Sequence, residues 1–150
     1  YTEELQPLGT AGSLALISPL ENPAILLNAD VITDINFEEI IFQNKKTNSD
    51  LIVVTKNDKV SIPYGIVETR GKQVIDIKEK PNYDFLINTG IYLITEKVRS
   101  LVKSDKFLDM PDLAKIALEN KFAVEHYICI NNWIDVGRFE TLKQAKNYIW

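Results

Sequence analysis

Soft metal ligands are nearly absent from this chain, which has one cysteine, Cys129, and one histidine, His126. A lone cysteine cannot close an internal disulfide, and the two residues together are too few for a structural zinc site, so any metal has to be held by oxygen. Positive charge is also in short supply. Lys and Arg number 17 against 21 Asp and Glu, a formal net charge of -4, whereas a free-standing binder of phosphate backbones carries the opposite balance. No nucleic-acid partner is expected. The longest apolar runs, such as Ala24 to Leu27 and Leu51 to Val54, fall far short of the ~20 residues of a membrane helix, so no membrane partner is expected either. The opening Tyr1-Thr2-Glu3-Glu4 has no basic region leading into an apolar one, which makes the cytoplasm the default location. Beginning on Tyr rather than Met, the chain reads as part of something longer. What is present, 45% hydrophobic and 25% charged residues, is the composition of a single globular domain with one core.

Hydrophobic periodicity then places the elements. Leu8 to Ile17 has helical spacing and ends before Pro19 and Pro23. Ala24 to Asp30 is a short apolar run ending in polar residues, the pattern of a strand buried on both faces. Asp34 or Asn36 can cap a helix running to about Lys46, with Phe37, Ile40 and Ile41 inward and Lys45-Lys46 answering its dipole. Leu51 to Thr55 is a second buried strand. Tyr64 to Thr69 and Gln73 to Glu79 alternate at period two around Arg70-Gly71-Lys72, as a hairpin does. A strand over Phe85 to Ile94, a short helix from Thr95 and a helix opened by Met110-Pro111-Asp112 follow, the last with Leu113, Ile116, Ala117 and Leu118 as its apolar stripe. Phe122 to Ile130 alternates as a strand, Asn131-Asn132 turns, and Arg138 to Tyr148 closes the chain as a helix. The expected fold is α/β, Rossmann-like, with a mixed and mainly parallel sheet flanked by helices.

Several short constellations could carry chemistry. Asp30 stands at the carboxyl end of a strand, where ligands of open α/β sheets sit, although Asp30 and Asp34 could simply start a turn and cap the next helix. Asp135, within Trp133-Ile134-Asp135-Val136-Gly137, supplies a second acid, followed by a glycine that lets backbone pass close to a ligand. Two such carboxylates could share one Mg²⁺, which takes one or two protein carboxylates and completes its shell with water and phosphate oxygens. Gly9-Thr10-Ala11-Gly12 offers backbone N–H groups, or merely opens a helix. Glu79-Lys80-Pro81 puts an ammonium where it can meet a phosphate, or forms an edge-strand charge pair. Asn88-Thr89-Gly90 could line a sugar or base pocket, or be a bulge, and Tyr64-Gly65 is similar in kind. His126 reads as structural or surface, Cys129 as a small buried thiol, and Trp133 and Trp150 as packing residues.

Taken in order, Leu8-Gly9-Thr10-Ala11-Gly12, Leu27-Asn28-Ala29-Asp30, Tyr64-Gly65, Glu79-Lys80-Pro81, Asn88-Thr89-Gly90-Ile91-Tyr92 and Trp133-Ile134-Asp135-Val136-Gly137 resemble the motifs of the sugar-1-phosphate nucleotidyltransferases. Mannose-1-phosphate guanylyltransferases and glucose-1-phosphate thymidylyltransferases are familiar members, and the wording around Gly9 is more similar to the guanylyl ones. The resemblance implies attack of a sugar-1-phosphate oxygen on the α-phosphorus of a nucleoside triphosphate, giving a nucleoside-diphosphate sugar and pyrophosphate. It implies that Asp30 and Asp135 hold Mg²⁺ and that Lys80 contacts the sugar phosphate, these three being the catalytic candidates. It assigns Leu8, Gly9, Thr10, Gly12 and Asn28 to the nucleotide, and Gly65, Glu79, Asn88 and Thr89 to the sugar.

Members of that family begin with a strand and a glycine-rich loop carrying an Arg, followed by a Pro-Lys-Pro segment, none of which stands ahead of Leu8 here. The chain is therefore expected to be the C-terminal portion of one nucleotidyltransferase domain, covering residues 1–150, with little or no transferase activity by itself. Its first buried strand is expected to expose an edge, favouring pairing with a second copy. Two other readings are a non-catalytic sugar-nucleotide-binding or regulatory homologue and, fitting the motifs around Lys80 and Asp135 less well, a glycosyltransferase of similar topology.

Overall fold

Alternation along two apolar strands sets the layering of the molecule. In the computed structural model, which describes residues 2–137, 141, 143 and 145, β3 (Leu51–Ser61) and β6 (Asn82–Ile94) lie side by side in one sheet. Leu51, Tyr92 and Ile94 face one hydrophobic cluster, while Ile52, Val54, Ile91 and Leu93 face the other. Period-two side chains on strands buried on both faces dictate two cores, each needing its own cover. On the first face the cover is α1 (Gly9–Gly12) with the 3-10 turn Ser13–Leu16 that follows it, α3 (Glu96–Arg99) and α4 (Met110–Glu119). On the second it is α2 (Phe37–Thr47), which inserts the fully buried Ile40.

The sheet is completed by β1 (Ala24–Leu27) and β7 (Val124–Ile128), in the order β1-β6-β3-β7. It is mixed, as expected, but parallel pairing does not dominate it: β3–β7 is parallel, whereas β1–β6 and β3–β6 are antiparallel. The reason is connectivity. β3 returns directly into β6 through the hairpin of β4 (Ile66–Arg70) and β5 (Gln73–Lys78), and such a return forces antiparallel pairing, whereas β7 is reached through the α4 crossover. β1 does pack on both clusters, through Leu26 and Ile25, yet as an edge strand among the described residues it leaves its side chains only half buried, with Leu27 44% exposed.

Details of the helices also differ from the periodicity. Asn36, not Asp34, caps α2, its side chain accepting the Glu38 N–H at 3.0 Å. Asp34 instead clasps Asn132, accepting its backbone and side-chain N–H groups at 2.8 Å each. Ile41 on α2 and Leu118 on α4 point to solvent, because one helical face of each is enough to cover the sheet. Cys129 is a free, buried thiol, as expected, and Lys45 and Lys46 close the last turn of α2. Most of the helix expected over Arg138 to Tyr148, and Trp150, lie outside the described residues. No helix among the described residues is long and apolar enough to cross a membrane.

Candidate functional site

The two strand-end acids meet. A turn after β1 carries Asp30 into β2 (Val31–Thr33), which pairs antiparallel with β8 (Trp133–Asp135), setting Val31 opposite Asp135. The Val136 N–H donates to the Asp30 carbonyl at 2.8 Å, and the Gly137 N–H to Asp135 Oδ1 at 2.7 Å. Both carboxylates converge on Gly137: a Cβ there would lie 2.9 Å from Asp135 Oδ1 and 3.4 Å from Asp30 Oδ2. This glycine is what lets two anionic side chains, both exposed, share one location. Among the described residues no group of three or more His, Cys, Asp or Glu encloses a metal ion. Two convergent carboxylates that leave the remaining positions to water or ligand oxygens do fit Mg²⁺, which keeps several waters and needs few protein ligands.

An open groove of about 550 Å³ leads away from Asp30, lined by Thr10, Ser13, Leu26, Leu27, Asn28 and Ala29. Thr10, Asn28 and Asp30, separate candidates in the sequence, thus border one space, and Ser13 joins them without any motif having marked it. Leu8, Thr10, Ala11 and Gly12 in this turn do not offer their amides to that space. The Thr10 N–H donates to Asp109 Oδ1 at 3.0 Å, and the Ala11 and Gly12 N–H groups to the Leu108 carbonyl at 2.9 and 3.1 Å. The exchange is reciprocal: the Asp109 side chain, at the N-cap of α4, makes no cap bond to its own helix, and the Thr10 hydroxyl accepts the Met110 N–H at 2.9 Å. The expectation that this turn supplies free amides to an anion is corrected accordingly, and its glycines answer a close approach to the Lys106–Asp109 backbone. Leu8 is buried beneath it.

Thr89, Gly90 and Ile91 form a bulge in β6, with Asn88 at its edge. Val53 pairs with Tyr92 and Thr55 with Asn88, so three residues of β6 oppose Val54 alone. Gly90 takes φ +75° there, a conformation that L side chains rarely adopt. Asn88 braces the bulge by accepting the Gly90 N–H and donating to the Tyr92 hydroxyl. Burial pushes the Tyr92 phenol above its ordinary range, with the hydrogen bond from Asn88 acting in the opposite direction. Thr89 is 1% exposed, and its hydroxyl donates to the Val54 carbonyl at 2.8 Å.

Glu79 and Gly65 come together at the base of the hairpin, where a Cβ on Gly65 would lie 3.0 Å from Glu79 Oε2. Lys80, in a left-handed conformation with φ +42°, is beside them. These three sit before the start of β6, separated from the Thr89 bulge by about 25 Å of strand path. Among the described residues no ion pair joins Lys80 to Asp30 or Asp135. His126 Nδ1 is hydrogen-bonded to the Thr55 hydroxyl at 3.1 Å, a structural position. Trp133 does more than pack, donating its indole N–H to the Thr89 carbonyl at 2.8 Å. The local sequence marks Gly90 as a break in the strand, but nothing in it pairs Asp109 with Thr10 or Trp133 with Thr89.

Comparison with known proteins gives the family. The chain is 34% identical to a mannose-1-phosphate guanyltransferase of Yarrowia lipolytica over 92% of its own length and 40% of that protein's. It is 39% identical to the mannose-1-phosphate guanylyltransferase catalytic subunit beta of Xenopus tropicalis, over 91% of this chain and 40% of that one. The chain thus spans about two-fifths of these curated relatives. Among solved structures, HddC from Yersinia pseudotuberculosis superposes with a TM-score of 0.66 at 22% identity, over 97% of this chain and 65% of that one. A putative glucose-1-phosphate thymidylyltransferase from Bacillus anthracis gives 0.62 at 20% identity, over 91% and 57%. At that identity the superpositions speak for the fold. The Nucleotidyl transferase family profile matches residues 1–149, and the chain belongs to the nucleotidyl transferase family.

Proposed function

We propose that this chain forms the metal- and substrate-binding part of a sugar-1-phosphate nucleotidyltransferase, which transfers a nucleoside monophosphate from a nucleoside triphosphate to a sugar-1-phosphate and releases pyrophosphate. The observation that carries the reading is the convergence of Asp30 and Asp135 on Gly137 at the end of a groove bordered by Thr10 and Asn28. In this reading Asp30 and Asp135 hold Mg²⁺. When bound, the ion neutralises charge on the phosphates and offsets what develops at the reacting phosphorus. The chain's own residues position the reactants, which is most of what a phosphoryl-type transfer asks of a protein. Thr10 and Asn28 orient the nucleotide along the groove, with Leu8, Gly9 and Gly12 shaping the turn that carries Thr10. Glu79, Gly65 and Asn88 are assigned to the sugar. Lys80, an exposed ammonium beside Glu79, meets the sugar phosphate as a point charge once substrate spans the distance to the carboxylate pair.

The test has two parts. Mn²⁺ binding to the chain, followed by water-proton relaxation, is expected to be lost in both Asp30→Asn and Asp135→Asn. Pyrophosphate release, assayed with whatever coding sequence precedes Tyr1 included, is expected for one base and one sugar across a grid of GTP, UTP, CTP and dTTP against hexose-1-phosphates. Mn²⁺ affinity equal in wild type and both variants would refute the metal assignment. A silent grid with nucleotide sugars still binding would point to a non-catalytic homologue.

A further inference from the structure

The bulge in β6 touches both chain segments that deliver the acids, through two consecutive carbonyls. The Thr89 carbonyl accepts the Trp133 indole N–H at 2.8 Å, and Trp133 lies two residues before Asp135 on β8. The Gly90 carbonyl accepts the Asn28 N–H at 2.9 Å, and Asn28 lies two residues before Asp30. The bulge is itself pinned to the sheet, since the Thr89 hydroxyl donates to the Val54 carbonyl from a fully buried position. Asn28 lies directly over Gly90, where a Cβ would come within 2.6 Å of Asn28 Nδ2 and 2.9 Å of its Cγ.

From this geometry we propose that the Thr89–Gly90 bulge sets the spacing of the Asp30–Asp135 pair, and that Thr89 and Trp133 are positioning residues for the metal site. In a regular strand successive carbonyls point to opposite neighbours within the sheet, so with the Gly90 carbonyl turned to Asn28 the Thr89 carbonyl would belong to β3; where the β3–β6 ladder is interrupted it is free to take the Trp133 indole instead. The extra residues of the bulge change that local geometry, which is why the pair is built where the ladder breaks. The inference rests on the reading of Asp30 and Asp135 as metal ligands. It takes Thr89 out of direct contact with sugar, because its hydroxyl proton is already held by Val54.

The experiment is Mn²⁺ affinity by water-proton relaxation on the full chain, in the absence of nucleotide and well below each variant's unfolding temperature. Trp133→Phe removes the indole N–H together with part of the ring's bulk, Gly90→Ala pushes Asn28 aside, Thr89→Val removes the anchoring hydroxyl, and Thr89→Ser restores it. Val98→Ala, a truncation in the other core cluster, controls for general loss of stability. Outer-shell partners of metal sites are commonly worth about 10- to 100-fold in affinity. Trp133→Phe and Gly90→Ala are expected to weaken Mn²⁺ about tenfold, and Thr89→Val to weaken it measurably. Thr89→Ser and Val98→Ala are expected to bind like wild type. Wild-type affinity in Trp133→Phe and Gly90→Ala would overturn the inference and leave the metal assignment standing. So would a Thr89→Val variant that loses hexose-1-phosphate binding with its Mn²⁺ affinity intact. Wild-type affinity in Asp30→Asn and Asp135→Asn would remove the metal assignment, and the inference with it.

Discussion

Gly12→Ala sets two physical effects against each other with opposite signs. Gly12 closes α1 with ordinary helical backbone, φ -63° and ψ -31°, so alanine is free of conformational strain there. Intrinsic propensity alone favours Ala over Gly by about 1 kcal/mol in a helix interior, and by less at the end of a single turn. The space argues the other way. A Cβ on Gly12 would stand 2.7 Å from the Lys106 carbonyl oxygen and 2.8 Å from the Cβ of Leu8. Neither neighbour can step aside cheaply, since one is backbone and the other belongs to a side chain only 3% exposed. Overpacking of this kind typically costs about 1–3 kcal/mol, so the steric effect wins and the variant is expected to be less stable. For a domain of this size that corresponds to a melting temperature roughly 2–10 °C lower. Thermal and urea unfolding followed by circular dichroism measure it, with the slope against urea checking that the unfolded state is unchanged. Because the same turn carries Thr10, weaker nucleotide binding is expected to accompany the loss. An unchanged or raised melting temperature would show that the turn does not press against the Lys106–Asp109 segment as described.

Two further predictions concern the frame around the site. Hydrogen bonds from Arg99 and from the Leu20 N–H hold the Glu96 carboxyl down at about 2, against an ordinary 4.5. A depressed carboxylate contributes stability that is fully present above pH 4.5 and is lost as pH falls from there through about 2. Glu96→Gln is expected to flatten that acid limb, and an unaltered dependence of urea stability on pH between 5 and 2 would contradict it. Asn36→Ala removes the side-chain cap of α2 and is expected to cost about 0.5–2 kcal/mol in urea unfolding. No change there would mean that Asp34 can take over the cap.

How much of this was readable beforehand depends on the range of the interactions involved. Element types followed from local patterns: the Arg70-Gly71-Lys72 turn, proline in the first turn of α4, and the apolar run of β3 are properties of neighbouring residues. Strand lengths were less readable, since β3 and β6 extend as far as Ser61 and Asn82 by pairing with each other rather than by apolar content. The inward placement of Ile41 and Leu118 failed for a related reason, because a period alone does not say how wide a face the sheet will cover.

Residue types settled the chemistry on offer: one cysteine and one histidine leave oxygen as the metal donor, and the ordered motifs mark Asp30 and Asp135 as acids of interest. Tertiary structure alone decided what those motifs do. It made the Thr10, Ala11 and Gly12 amides partners of Asp109 and Leu108, put about half of β6 between Lys80 and the Thr89 bulge, and turned that bulge into the segment that holds Asn28 and Trp133. Sequence reports a donor, an acceptor or a missing side chain at each position. Which partner satisfies it is decided by contacts between segments distant along the chain, and those exist only once the sheet has brought the segments together.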